Sequence, residues 1–305
     1  MITLTSPRIT VGLHPQGARI ASCVVDGIET CFGTGSEDNL AAGDLYSGVI
    51  CGRHAGRITN SRFPLDGSAV QLTPNMGEHQ LHGGVNGFHA RRWDWLQDGN
   101  RVTFYLNSID GEEGFPGDLA VTGVYELRGD TLSLKIEART TKPTLCNITN
   151  HAYWNLAGGG TVLDHELQIM GDKHFPLGEF LLPKGVIENT AGTPHDFRAP
   201  RRIAEDHDFC TKLHGTRGEI KHGLMLRDPS SGRQLDVWTT EGCMQTYTAI
   251  HWQPSIIGHR GPLQRSHALA IEPQNVADAP NHTAFPSSIL RPGELYRNHM
   301  EWRFS

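Results

Sequence analysis

The chain has 305 residues, with 27 Lys and Arg, 33 Asp and Glu, and a formal net charge of -6. Charged residues make up 20% of it and the two signs are interspersed, which argues against a nucleic-acid surface, since such a surface shows a basic stripe. No run approaches the roughly 18–20 apolar residues of a membrane span. Glycine (35) and proline (17) recur at short intervals, a pattern typical of many turns.

The chain starts with MITLTSPRITVGL, which alternates like a strand and lacks the basic start and apolar centre of a signal peptide. The cysteines show no CxxC spacing, so we expect small buried side chains of a reducing compartment rather than disulfides. The sequence therefore predicts a soluble cytoplasmic protein. It leaves a homodimer open. The cysteines are Cys23, Cys31, Cys51, Cys146, Cys210 and Cys243.

Short runs of alternating apolar and polar residues predict β-strands along the whole chain. The clearest are RVTFYLNSI (101–109), AVTGVYEL (120–127), LSLKIEART (132–140), HELQIM (165–170) and QLDVWTT (234–240). The turn signals DGN at 98–100 and RGD at 128–130 lie between such runs and predict β-hairpins.

Helical periodicity is weak, and the most helix-like stretches are the short EDNLAAGDL (37–45) and APRRIAED (199–206). No internal repeat, low-complexity tract or composition shift marks a linker. The sequence therefore predicts one antiparallel all-β domain over residues 1–305, built as a large two-sheet β-sandwich.

Two glycine-rich segments carry more polar side chains than an ordinary core segment. GVICGRHAGRITNSRF (48–63) contains Arg53 and Arg57, and we expect Arg53 to be a solvated strand residue. HQLHGGVNGFHARRWD (79–94) contains His82 followed by two glycines. Paired glycines let a backbone approach a ligand closely, but they also make ordinary turns.

The segment TNHAYWNLAG (149–158) reads as a buried strand with a histidine inside it. Alternation places His151, Tyr153 and Asn155 on one face and Trp154 on the other. A buried imidazole must find polar partners or lose stability. Taken alone, this segment favours a structural histidine.

A second buried strand ends in a carboxylate. In ALAIEPQNVADAPNH (268–282), four apolar residues lead directly to Glu272. A carboxylate there is costly unless it is paired or functional, and the alternative is a strand-end glutamate that faces water.

Other kinds of chemistry lack their motifs. His79, His82 and His89 lie close in sequence, but no HExxH or CxxC pattern accompanies them, so we expect no metal site. The GxSxG elbow of serine hydrolases and the Walker phosphate loop are also absent, so nucleotide chemistry is not supported.

These segments together resemble the aldose 1-epimerase (galactose mutarotase) family. The motifs occur in the family's order across nearly the whole chain. They are GRHAGRITNSRF, LHGGVNGFHARRWD, GFPGDL, TNHAYWNLAG, EDHDF, MQTYT and IEPQNVADAPNH followed by ILRPGELY.

The resemblance implies a twisted antiparallel β-sandwich (a supersandwich) that interconverts the α and β anomers of a free sugar without metal or cofactor. It also implies a role for each matching residue: Glu272 as general base, His151 as general acid, Arg57 and His82 as sugar ligands near the reacting centre, and Asp206 and Gln245 as ligands of sugar hydroxyls. A carboxylate and an imidazole can exchange a proton in both directions of ring opening and closure.

Two positions depart from the family pattern. Gly56 stands where the family usually has asparagine, and Pro273 replaces a usual threonine, which removes a backbone donor beside the base.

Two alternatives stay open at this point. The arginines at 91, 92, 198, 201 and 202 suggest a mutarotase for an anionic hexose, phosphorylated or sulfonated. The other alternative is a non-catalytic sugar-binding module on the same fold.

Overall fold

A computed structural model gives the fold, and the structure describes residues 1–33, 46–258 and 261–305. Strands dominate these residues, and the helical segments among them are 3-10 turns of three residues. The predicted helix-like stretch at 37–45 lies outside the described residues. Within the described ranges no helix is long and apolar enough to cross a membrane. The all-β prediction is confirmed.

Thirty short and long strands account for most of the regular structure in the described residues. In chain order, the first fifteen are β1 (Ile2–Thr5), β2 (Ile9–His14), β3 (Arg19–Val25), β4 (Ile28–Glu29), β5 (Cys31–Phe32), β6 (Ile50–Cys51), β7 (Arg57–Ile58), β8 (Arg62–Leu65), β9 (Ser68–Gln71), β10 (Gln80–Leu81), β11 (Asp94–Asp98), β12 (Arg101–Ser108), β13 (Leu119–Arg128), β14 (Thr131–Thr140) and β15 (Thr144–Leu145). The others are β16 (Thr149–Asn150), β17 (Tyr153–Trp154), β18 (Glu166–Ile169), β19 (Gly171–Phe175), β20 (Glu188–Asn189), β21 (Arg201–Arg202), β22 (Asp208–Leu213), β23 (Lys221–Arg227), β24 (Gln234–Thr239), β25 (Cys243–Tyr247), β26 (Ile257–Gly258), β27 (Gly261–Pro262), β28 (Leu269–Gln274), β29 (Ile289–Leu290) and β30 (Tyr296–Phe304).

Two large sheets form the body of the molecule. The first has nine strands in the order β11-β12-β13-β14-β30-β24-β23-β18-β21. The second has seven strands in the order β20-β19-β22-β25-β28-β17-β5. An N-terminal sheet, β1-β2-β3-β4, joins them. The pairings within the two large sheets are antiparallel, as the alternating sequence pattern predicts.

Both predicted hairpins are confirmed. Strand β11 pairs with β12 across the 98–100 turn, and β13 pairs with β14 over ten residues across the 128–130 turn. The helix-like stretch at 199–206 forms no helix, and its residues Arg201–Arg202 form the edge strand β21 beside β18. The next backbone N–H groups, of Ile203 and Ala204, donate to carbonyls of residues 165 and 163 rather than to a helical turn.

The seven-stranded sheet has two different faces. Leu269 and Ile271 of β28, with Met244 of β25 and Phe209 of β22, enter the main hydrophobic core shared with the nine-stranded sheet. Along each strand, the residues that alternate with these point to the opposite face of the sheet. Because one face of these strands is packed in the core, the alternate residues, including Glu272, are held firmly on the other face.

All six cysteines are buried and free of disulfides, as expected. Each contributes a small apolar side chain to the interior, which is how free cysteine commonly behaves.

Arg53 is not the solvated strand residue that the sequence suggests. It is 2% exposed, and its guanidinium donates to Ser108 Oγ and to the carbonyls of Ser108, Ile109, Pro116 and Gly117, at 2.7–3.1 Å. A buried charge is tolerable when every N–H finds an acceptor. Arg53 thereby ties the segment that precedes Arg57 to the loop after β12.

We predict that Arg53→Met lowers the free energy of unfolding by at least about 3 kcal/mol, because several buried carbonyls lose their donor. Urea unfolding followed by tryptophan fluorescence measures this. The matched control is Arg128→Met, which removes an exposed arginine paired with Glu126 and should cost less than about 1 kcal/mol. Equal losses in the two variants would contradict the structural role of Arg53.

Candidate active site

A cavity of about 220 Å³ opens on the face of the seven-stranded sheet that is turned away from the main core. Its polar lining is Arg57, His82, His151, Asp208, Gln245, His251, Glu272 and Gln274. Its aromatic and apolar lining includes Tyr46, Leu81, Tyr153, Phe175, Leu177, Leu181, Pro183, Tyr247, Trp252 and Val276.

Three neighbouring strands supply the polar floor of this cavity. Alternation along β28 turns Glu272 and Gln274 toward the cavity, while Ile271 enters the core. On β25, Gln245 lies directly opposite Glu272 in the ladder. On β22, Asp208 is the first residue of the strand and faces the same side.

His151 lies in the break between β16 and β17 rather than inside one continuous strand. Its backbone N–H donates to Val49 O, and its carbonyl accepts from Gly48 N–H, both at 2.9 Å. The ring packs against Tyr153, with ring centroids 4.9 Å apart. The side chain of Asn155 is engaged elsewhere, since its amide donates to the carbonyl of His267. Of the two neighbours on its predicted strand face, it is therefore Tyr153 that supports the imidazole.

His151 and Glu272 meet inside the cavity, with His151 Nε2 3.4 Å from Glu272 Oε1. Both side chains are nearly inaccessible to solvent. The pKa of His151 is lowered to about 3, mainly by burial, with Arg57 and His89 acting in the same direction and a backbone hydrogen bond opposing them. Burial also raises the pKa of Glu272 well above its usual range, with Asp208 adding to the rise and Arg57 opposing it. Because each charged form is disfavoured, the two groups are suited to hold one proton between them.

His82 and Gly56 fix each other through one backbone hydrogen bond and one to the His82 ring. His82 N–H donates to Gly56 O at 3.0 Å, and Gly56 N–H donates to His82 Nδ1 at 3.2 Å. The second bond requires Nδ1 to be an acceptor, so the neutral ring carries its proton on Nε2. Gly83 lets the loop that carries His82 lie close to the backbone of Gly52, since a Cβ at position 83 would be 1.9 Å from Gly52 O.

Arg57 is the first residue of β7 and lines the cavity next to His82. Its carbonyl accepts from Asp278 N–H at 2.9 Å, and its Nε is buried without a hydrogen-bond partner. A buried, unpartnered guanidinium N–H that lies beside an open cavity is suited to donate to a ligand oxygen.

Gly56, one of the two departures from the family pattern, has no room for a side chain. Its φ is +80°, and a Cβ would lie 2.6 Å from Ala277 Cβ. Gln274 Nε2 lies 3.7 Å from that same position. The Gln274 amide therefore lies near the position that the Cβ of a larger residue at 56 would occupy.

Pro273, the other departure, sits within β28 without breaking its ladder with β25. Its carbonyl accepts from Thr149 Oγ1 at 2.8 Å and from Asn298 Nδ2 at 3.0 Å. The N–H and C=O of one strand residue point to the same side, so the missing N–H falls on the side away from β25. Glu272 keeps its place opposite Gln245.

The structure brings five of the six residues proposed from the sequence together in this cavity, but it does not place Asp206 there. Asp206 accepts hydrogen bonds from Arg265 Nε at 2.6 Å, Thr248 Oγ1 at 3.1 Å and Ser266 Oγ. The carboxylate that lines the cavity is Asp208, two residues further on. Asp206 precedes β22 in a turn, where strand alternation no longer fixes the side-chain direction. The residues that do converge are Arg57, His82, His151, Gln245 and Glu272.

Three polar residues that line the cavity were not proposed as site residues from the sequence: Asp208, His251 and Gln274. Asp208 belongs to the EDHDF motif, and Gln274 follows the general-base candidate by two residues, so their motifs could have indicated both. Gln274 Oε1 is buried without a hydrogen-bond partner, which leaves it available to a ligand hydroxyl.

The arginines that suggested an anionic substrate all lie outside the cavity lining. Arg91 pairs with Glu112, and Arg202 pairs with Asp164. Arg201 stacks on a phenylalanine ring 4.0 Å away. Since none of the five arginines lines the cavity, they do not support an anionic hexose as the substrate.

The residues fit a metal ion poorly. Donor atoms of His82, His151 and Glu272 lie within 4.8 Å of one another, a group that short-range sequence spacing could not reveal. In the ring of His82, however, Nδ1 already accepts from Gly56 and Nε2 carries the proton. Coordination by His82 would have to break that bond, whereas donation to an oxygen ligand would keep it.

A buried imidazole–carboxylate pair, an adjacent arginine and hydrogen-bonding amides define an acid–base enzyme acting on a small polar ligand. Comparison with known proteins agrees with this class. The model of the family described as aldose 1-epimerase matches residues 1–303. The chain is 38% identical over 270 residues to galactose mutarotase of Mus musculus, covering 84% of this chain and 78% of that protein. It is 35% identical over 295 residues to aldose 1-epimerase of Escherichia coli K12, covering 90% and 85%.

Solved structures show the same relationship. The GalM/aldose epimerase homologue from C. elegans superposes with a TM-score of 0.93 at 29% identity, covering 100% of this chain and 98% of that one. Galactose 1-epimerase from Lactobacillus acidophilus gives 0.87 at 25% identity, covering 99% and 93%. The chain belongs to the aldose 1-epimerase family and is an isomerase of the mutarotase type.

The burial of His151 has a consequence for stability. Its pKa of about 3 in the folded protein lies below the usual value of roughly 6.5 in an unfolded chain. Between these values the unfolded chain takes up a proton that the folded protein does not, so stability falls as the pH drops below 6.5. For this one group, lowering the pH from 7 to 5 should cost roughly 2 kcal/mol.

We therefore expect His151→Gln to show a smaller loss of unfolding free energy between pH 7 and pH 5, by roughly 2 kcal/mol. Urea unfolding at the two pH values measures it. The control is His214→Gln at an exposed position, which should keep the wild-type difference. An unchanged difference in His151→Gln would mean that the imidazole is already charged beside Glu272.

Proposed function

We propose that this mutarotase opens and recloses the ring of a free aldose with Glu272 as general base and His151 as general acid. The observation that carries the proposal is the buried contact between His151 Nε2 and Glu272 Oε1 at 3.4 Å. A sugar-binding module would need hydrogen-bonding groups but no such proton-exchanging pair.

The reaction needs one proton on the pair at each stage. Glu272 accepts the proton of the C1 hydroxyl while the bond between C1 and the ring oxygen breaks, and His151 protonates that oxygen. The open aldehyde turns about its C1–C2 bond. Ring closure on the other face of the carbonyl runs the same transfers in reverse, so protons balance and no other reactant is consumed. The raised pKa of Glu272 makes it a stronger base than an exposed carboxylate.

Arg57 and His82 would act on oxygen at the reacting centre. The Nε2–H of His82 is a fixed donor because Gly56 holds Nδ1. The guanidinium of Arg57 adds positive charge where an oxygen gains electron density. Gln245 and Gln274 would bind other hydroxyls of the sugar through their amides.

The shape of the cavity supports a single sugar ring as the ligand. Its volume of about 220 Å³ is small, and one wall is aromatic, with Tyr153 and Trp252 ring centroids 4.6 Å apart. Such a wall covers the apolar C–H face of a sugar, while the floor supplies polar groups that fix its orientation.

Three further predictions from the sequence belong to this proposal. One hydrophobic cluster draws residues from Ile2 to Phe304, which supports a single domain over 1–305. Six buried free cysteines support a cytoplasmic location. A homodimer stays a prediction of the sequence.

The proposal predicts that the protein accelerates anomeric equilibration of freshly dissolved sugars, followed by optical rotation. Glu272→Gln and His151→Gln should each lower kcat/KM on the order of 10²–10⁴-fold, since each removes one proton-transfer partner. Glu294→Gln, at an exposed position, is the matched control and should keep wild-type activity.

A result against the proposal is equally clear. Acceleration that persists in Glu272→Gln would remove Glu272 as the base. Binding without acceleration, for every aldose in a broad panel, would indicate the non-catalytic module instead.

A further inference from the structure

A second carboxylate shares the cavity with Glu272. Asp208 is partly buried, lines the cavity and accepts a hydrogen bond from Gln245 Nε2 at 2.5 Å. Gln245 lies directly opposite Glu272 in the β25–β28 ladder. Asp208 lies opposite Tyr247 in the β22–β25 ladder, so its hydrogen bond with Gln245 is diagonal. The three side chains line the same cavity and form one row of contacts across three neighbouring strands.

The charged groups around this row do not favour the binding of an anion. Among the described residues that line the cavity, Arg57 is the one arginine, no lysine is present, and two carboxylates, Asp208 and Glu272, face it. Burial lowers the pKa of His151 to about 3, and with one proton shared between His151 and Glu272 this pair adds no net positive charge to the cavity.

Burial raises the pKa of both Asp208 and Glu272. The charge of Asp208 adds to the rise in the pKa of Glu272, and Arg57 opposes the rise at both carboxyls. His251 faces Asp208 as a further cationic neighbour when protonated. The remaining titratable neighbours of the row are His82, Tyr153, Cys210 and Tyr247.

We propose that Asp208 is a specificity-determining residue, whose carboxylate selects neutral aldoses and repels sugars that carry a negative charge. This inference rests on the proposed mutarotase function. The Asp208 oxygen that Gln245 orients can accept from a sugar hydroxyl, which a neutral sugar supplies. A carboxylate or phosphate on the sugar would instead meet the negative charge of Asp208 in a small cavity.

The test compares D-galactose with D-galacturonate, which differ only at C6, where the uronate carries a carboxylate. The wild type should show a kcat/KM for galactose well above that for galacturonate. In Asp208→Asn, which keeps size and shape but loses the charge, the ratio of uronate to neutral sugar should rise on the order of ten- to fiftyfold. NMR exchange between anomers measures both sugars in the same way.

Asp206→Asn is the matched control. It removes a carboxylate two residues away that is held by Thr248, Arg265 and Ser266 outside the cavity. Its ratio should stay at the wild-type value. A loss of fold or of positioning in Asp208→Asn would slow both sugars together and leave the ratio unchanged, so the ratio separates specificity from structural damage. Asp208→Ser, which also lacks the charge, should raise the ratio as well.

Failure of this inference can be told apart from failure of the proposed function. A wild type active on galactose, with an unchanged ratio in both Asp208 variants, would overturn the role of Asp208 and leave the function standing. A ratio that rises in Asp206→Asn instead would also overturn it. Should the wild type accelerate neither sugar, the function fails, and the two sugars' binding affinities for wild type and Asp208→Asn, titrated by calorimetry, decide the inference.

Discussion

The rest of the structure depends on the buried contact between His151 and Glu272, which the fold must hold in place and out of water. An imidazole and a carboxyl group held out of water lose the hydration of their charged forms, and their pKa values move toward the neutral forms. That shift is useful only if the two atoms remain within about hydrogen-bond reach of each other and of a ligand. The fold therefore has to hold two side chains from distant parts of the chain at 3.4 Å without solvent.

The seven-stranded sheet meets this demand through alternation. Ile271 is anchored in the main core, so Glu272 is presented on the other face with little freedom to move. On the other side of the pair, the carbonyl of Val49 and the N–H of Gly48 clamp the backbone of His151. Rigid elements thus position both groups, although His151 itself lies in a break between strands.

A second set of contacts positions Arg57 and His82, which line the cavity beside its polar floor. Arg53 caps carbonyls of the loop after β12, which fixes the segment that leads to Gly56 and Arg57. Gly83 lets the His82 loop press against the backbone of Gly52. Polar groups and glycines that look like surface or turn features in the sequence are therefore part of the scaffold of the site.

Much of this could be predicted from the sequence. Period-2 alternation and the DGN and RGD turns indicated the strands and hairpins, because one buried face imposes that pattern. The motif order indicated the pairing of His151 with Glu272, which no local rule could have revealed across 121 positions of sequence.

The errors have physical causes. Asp206 and Asp208 belong to the same motif and, two residues apart, would lie on the same face of a continuous strand. Which of them enters the cavity therefore depends on the residue at which β22 begins, and that residue is Asp208. Arg53 was misjudged because its partners are carbonyls of residues 108–117, and backbone acceptors leave no signature in a sequence. In the helix-like stretch at 199–206, Arg201–Arg202 form an edge strand instead, since pairing with β18 outweighs a weak local helix preference.

The most direct test of the proton-exchanging pair is a double-mutant cycle on anomer exchange, with wild type, His151→Gln, Glu272→Gln and the double variant measured by NMR at equilibrium. If the two groups exchange one proton as a unit, the double variant should be about as slow as the slower single variant, and the losses should be far from additive. Losses that multiply would contradict this pairing, because they would mean that His151 and Glu272 act independently.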